Sequence, residues 1–92
     1  MREADPEAQR KILNRLKRAR GQLDAVINAV ESGQSCRSVV TQLAAVSTAL
    51  DRAGFSVVSS AMQFCVNDPE RAAELEDGLT VEELEKLFLS LS

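Results

Sequence analysis

Residues 36–65 read CRSVVTQLAAVSTALDRAGFSVVSSAMQFC, thirty positions that open and close on the chain's two cysteines and hold no proline. Cys36, Val40, Leu43, Ser47, Leu50, Gly54, Val57, Ala61 and Cys65 recur at spacings of four and three. That alternation is the seam of a long helix packed on other helices. At ~100° per residue the two thiols return to nearly one face, and at ~1.5 Å rise per residue they stand roughly 43 Å apart. They cannot meet within one straight helix. An antiparallel second copy would set Cys36 of one chain beside Cys65 of the other, so the spacing predicts a symmetric oligomer with a thiol pair at its boundary. Ala44, Ala45, Ala49, Ala53 and Gly54 are small enough to admit a close neighbour, although Gly54 could instead mark a bend.

Working outward, Ser32-Gly33 predicts a stop before this helix, with Gly33 in the left-handed position that follows a helix end, and Ser35 predicts its N-cap. Upstream, Asp5-Pro6 predicts the start of a first helix. Its stripe runs through Ile12, Leu16, Ala19, Leu23, Val26 and Val30, widened by Leu13 and Ile27. Downstream, Asn67-Asp68-Pro69 ends the long helix and starts a third, which Asp77-Gly78 closes. Thr80-Val81-Glu82-Glu83 has the form of a capping box and precedes a last helix with Leu84, Leu87, Phe88 and Leu91 on one face. No stretch alternates with the period of a strand. The fold class is all-α: one domain over residues 1–92, with long antiparallel helices forming a dimeric four-helix bundle. A 92-residue chain of this kind buries little alone, and association is the usual remedy.

The net charge of −3 conceals a segregation. Residues 1–20 hold seven basic side chains against three acidic ones, whereas residues 66–92 hold eight acidic against two basic. Arg15 and Arg18 are neighbours on the first helix, Lys11 extends their side, and Arg52 is the matching cation on the second. A basic stripe on one helix suits phosphates even in an acidic chain. With three Phe and no Trp or Tyr, stacking on exposed bases is not the binding mode. No apolar run reaches the roughly 20 residues of a membrane span, and the start lacks a secretory core. The expected compartment is the cytosol, where thiols stay reduced and two cysteines are more often reactive or metal-binding than structural.

Cys36 falls in the first turn of its helix, where the backbone favours a thiolate. The chain has no histidine, so zinc, nickel and cobalt are poorly served. Two thiolates could hold Cu(I) in a two-coordinate site. Without a third ligand they suit sulfur chemistry better, one thiol becoming persulfidated and the other resolving it. The alternative is that both are inert packing residues in a helical interaction module. No nucleophile–base pattern points to an enzyme.

The run Arg15-Leu16-Lys17-Arg18-Ala19-Arg20-Gly21-Gln22-Leu23, then Cys36, Thr41-Gln42-Leu43-Ala44-Ala45-Val46, Ala49-Leu50 and Cys65-Val66, resembles the CsoR/RcnR family of bacterial repressors. The likeness covers residues 10–66. It implies a dimer further paired into a flat tetramer, which binds operator double-stranded DNA through its first two helices and releases it on ligand binding. Carried over by position, Cys36 and Cys65 match the family's thiols. Arg15, Arg18 and Arg52 match basic positions for DNA, with Gln42 in the shared second-helix motif. Copper sensors place a histidine where Ala61 stands and commonly a tyrosine at Ser35. Two cysteines without that histidine look like the persulfide-sensing CstR branch. The resemblance therefore implies persulfide or polysulfide donors as effectors and no resident cofactor, with Cu(I) as the alternative.

Overall fold

The polypeptide reverses direction at Gly33, whose φ of 74° lies in the left-handed region that a side chain disfavours. The Gln34 amide donates to the Ala29 carbonyl at 2.9 Å and the Gly33 amide to the Val30 carbonyl at 3.2 Å. These two bonds form a Schellman motif and satisfy carbonyls that the helix end leaves open. Two residues later the Ser35 hydroxyl accepts from the Ser38 amide and starts the next helix. The computed structural model in which this turn is seen describes residues 6–75 and 80–91, without the side chains of residues 72, 73 and 75.

The turn joins α1, Pro6–Glu31, to α2, Cys36–Asn67, in an antiparallel hairpin. Two short helices follow, α3 at Pro69–Leu75 and α4 at Val81–Ser90, and the described residues contain no strand. Asp68 serves both neighbours. Its amide donates to the Phe64 carbonyl at the end of α2, and its carboxylate accepts from the Arg71 amide at the start of α3. Thr80 caps α4 by accepting from the Glu83 amide at 3.2 Å. Asp5 and Asp77-Gly78 lie outside the described residues. α2 runs through Gly54 without a break in the helix.

The stripe read as one seam on each long helix proves to be two. On α1, Ile12, Ala19, Val26 and Ala29 are buried, whereas Leu13, Leu16, Leu23, Ile27 and Val30 face outward. On α2, Val46 and Ala53 are buried, while Val40, Leu43 and Leu50 are exposed. The reason is geometric. A 4/3 alternation straddles two directions on the cylinder, and a single hairpin partner covers only one of them.

α1, α3 and α4 each pack on α2, and α1 does not meet α4. α4 runs antiparallel to α2 and lies over its C-terminal half. Leu84, 3% exposed, closes a cluster with Ala61 and Cys65. Phe88 meets Phe55 edge-to-face with ring centroids 5.9 Å apart. Leu91 rests so near Gly54 that a Cβ there would stand 3.0 Å from its Cδ1.

The chain measures 53 × 25 × 16 Å, with a radius of gyration of 16.5 Å, against ~12 Å for a compact domain of this length. Its accessible surface is 6689 Å², about 1,400 Å² more than the ~5,200 Å² that a 10.0 kDa globular chain leaves in water. No large side chain is fully buried among the described residues. The hairpin leaves Leu13, Leu16, Leu23, Ile27, Val30, Val40, Leu43 and Leu50 exposed.

Candidate functional site

Arg15 and Arg18 project from the same side of α1, one turn apart, and the hairpin brings Arg52 of α2 against them. Together with Gln22, Ala45, Thr48 and Ala49 they line a groove of about 330 Å³. Ala45 and Ala49 give it a floor low enough for three long cationic side chains to converge. None of the three arginines makes an ion pair among the described residues; the pair seen there is Arg10 with Glu7, at 2.7 Å on the exposed first turn. Unpaired guanidiniums held side by side have the chemistry to take a phosphate, which a guanidinium can meet bidentately.

A second, wider cleft of about 900 Å³ opens beside the first, lined by Arg15 and Arg52 again, with Asp51, Phe55, Phe88 and Leu91 among its walls. Lys11 is exposed one turn before Arg15 and lines neither groove. Gln42 stands apart. Its Nε2 donates to Gln34 Oε1 and to Ser38 Oγ, both at 3.1 Å, and Ser38 Oγ donates to Gln34 Oε1 at 2.7 Å. The structure thus puts Gln42 in the polar network of the hairpin turn, roughly 15 Å along α2 from Arg52.

Gln22, quoted above only as part of the family run, and Thr48 are groove residues that were not among the expected DNA contacts. The available signal was spacing, because Gln22 follows Arg15 and Arg18 by seven and four positions on one helix face, and Thr48 precedes Arg52 by four. The Oε1 of Gln22 is buried and meets no donor among the described residues.

The two thiols occupy opposite ends of α2 and very different surroundings. Cys36 is the first residue of the helix and is exposed; Cys65 is 5% exposed beneath Leu84. The unbroken 32-residue helix between them keeps them roughly 43 Å apart. Among the described residues no three His, Cys, Asp or Glu side chains converge on one point.

The family model for a metal-sensitive transcriptional repressor matches residues 8–90. The chain belongs to that family. Its members are transcriptional repressors rather than enzymes, and repressors bind operator DNA. A copper-sensing transcriptional repressor, CsoR of Mycobacterium ulcerans (strain Agy99), is 41% identical over 59 residues, 64% of this chain and 50% of that protein. The chain thus spans about half the length of that relative. The uncharacterized protein YrkD of Bacillus subtilis (strain 168) is 39% identical over 61 residues, 66% of this chain and 97% of that protein. No solved structure matches. No described helix is long and apolar enough to cross a membrane.

Proposed function

We propose that residues 1–92 form one cytoplasmic repressor domain, which pairs into a homodimer and then a tetramer and reads reactive sulfur through Cys36 and Cys65 of different copies. The carrying observation is the pair of thiols near opposite ends of one unbroken helix, in a chain without histidine. The exposed apolar stripes of α1 and α2 supply the dimer surface, and the excess of about 1,400 Å² matches the ~800 Å² a standard interface takes from each partner with area to spare for a second contact. Arg15, Arg18 and Arg52 hold the operator phosphates, with Lys11 on the flank.

The chemistry balances without a metal. One thiolate takes the terminal sulfur of a persulfide donor and releases the donor's thiolate. The thiolate of the other copy then attacks the inner sulfur of the new persulfide, forming the Cys36–Cys65 bridge and expelling hydrosulfide. The two electrons lost by the thiol pair end on sulfur that leaves. Further sulfane sulfur would lengthen the bridge. Bridging switches the repressor only by favouring one packing of the arginine-bearing helices over another. Gel shifts on the chain's own upstream DNA, with and without polysulfide, test this beside intact-mass measurement. Bridged dimers that let go of DNA support it; monomeric adducts with unchanged operator affinity overturn it.

The name of the M. ulcerans relative favours a second reading, in which the same two thiolates hold Cu(I). The donor set fits a two-coordinate soft ion and nothing that demands more ligands. Titration of Cu(I) against a strong chelator decides: tight stoichiometric uptake that releases DNA belongs to this reading alone.

A further inference from the structure

α1 and α4 pack on the same helix without meeting each other, and the gap between them is the wider of the two clefts. At about 900 Å³ it has the size of a small-molecule site. α1 gives it Arg15, α2 floors it with Asp51, Arg52 and Phe55, and α4 adds Phe88 and Leu91. Cations and hydrocarbon are therefore sorted to different parts of one cavity. Neither arginine has an ion pair among the described residues. The rings of Phe55 and Phe88 meet edge-to-face, yet Phe55 stays 60% exposed and Leu91 is likewise exposed. Asp51 tempers the charge: two guanidiniums less one carboxylate leave a formal +1, which suits a singly charged anion better than a doubly charged one.

We propose that the cleft between α1 and α4 binds an amphipathic monocarboxylate, its carboxylate on Arg15 and Arg52 and its apolar tail along Phe55, Phe88 and Leu91. A guanidinium meets a carboxylate bidentately, and the tail covers aromatic surface that the fold leaves in water. No helix has to move, because the cleft already stands open. Arg15 and Arg52 also line the narrower groove, so a guanidinium engaged by the ligand is withdrawn from phosphate. Occupancy therefore competes with operator DNA and needs neither thiol. This competition rests on the DNA-binding role proposed above for the two arginines; the site itself does not.

Calorimetric titration of the full reduced chain with 3-phenylpropanoate and with octanoate, beside the uncharged 3-phenylpropan-1-ol, tests the site. The better acid should bind about tenfold tighter than the alcohol, and Arg52→Gln should erase that preference. Phe55→Ala, at an exposed position, should weaken the acid about fivefold with helix content retained. The tighter of the two acids tells whether the tail is aromatic or alkyl, and saturable uptake of either supports the site. In fluorescence anisotropy on an operator duplex, saturating acid should weaken DNA binding about tenfold with both thiols still reduced. Alcohol bound as tightly as acid, or acid uptake that vanishes as rising chain concentration covers the cleft with another copy, overturns the site. Acid uptake that leaves operator affinity unchanged, where Arg52→Gln weakens it, overturns the competition and leaves the arginines' DNA role standing. Acid uptake in a chain whose operator affinity ignores Arg52→Gln supports the site and overturns that DNA role instead.

Discussion

Replacing Gln22 with leucine should make the protein more stable and a poorer repressor at once. Gln22 lies in the groove with Arg15, Arg18 and Arg52, and its Oε1 is buried with no donor. An unsatisfied buried acceptor costs about 1–3 kcal/mol, whereas an apolar side chain of similar size carries no such penalty. Taking the low end, because the residue is only partly buried, relief of about 1 kcal/mol raises Tm by about 4–8 °C for a chain of this size. If the groove seats a phosphate, the Gln22 amide N–H can donate to it, and its removal then deletes one hydrogen bond of about 0.5–1.5 kcal/mol per copy, roughly a 2- to 10-fold weakening for each. The substitution leaves every charge in place, so the dependence of log affinity on log salt should keep its slope. Thermal melts by circular dichroism and fluorescence anisotropy on an operator duplex at several salt concentrations measure all three quantities. A lowered Tm together with unaltered affinity would show that Gln22 is an ordinary packing residue, and the reasoning would be wrong.

Arg15→Gln, Arg18→Gln and Arg52→Gln should each flatten that salt slope by about 0.9 for every phosphate left without its cation, while Gln42→Ala leaves it alone; the same anisotropy titrations report this. Leu43→Glu puts a charge on the open stripe of α2, and because a two-fold interface repeats every pairing, dimerisation should weaken by at least tenfold in sedimentation equilibrium with helix content retained. Gly33→Ala forces a side chain into φ 74° and should lower stability by about 1 kcal/mol, visible as a shift in the urea midpoint with unchanged slope.

The helix ends were legible because they obey local rules. Gly33, Ser35, Asp68-Pro69 and Thr80 each act within four residues of themselves, and each sits where such rules put it. The 4/3 repeat was equally legible as a period, but its division into two faces was not. Whether Leu16 or Ala19 meets α2 depends on the rotation of one helix against another, which neither helix encodes alone. The same holds for α4, whose apolar face was evident in Leu84, Leu87, Phe88 and Leu91 while its landing place on Gly54 and Cys65 was not. Of the basic residues, Arg15 and Arg18 are neighbours by spacing, and the hairpin alone brings in Arg52. Gln42 belongs to a motif by its position, yet in the fold it serves the turn. Gln22 belongs to the family run, but its burial in the groove was not legible, since an amide on a helix carries no mark of burial.

The 32-residue α2 is a stiff beam with a sulfur at each tip and Arg52 part-way along it. Arg52 stands roughly 20 Å from Cys65 on the helix axis. Pivoting the beam about 5° around that tip would sweep the guanidinium base through about 1.7 Å. A hydrogen bond tolerates only a few tenths of an ångström. Under the proposed function, making or breaking a bond between sulfurs would be felt at a phosphate by leverage, with no relay of side chains in between.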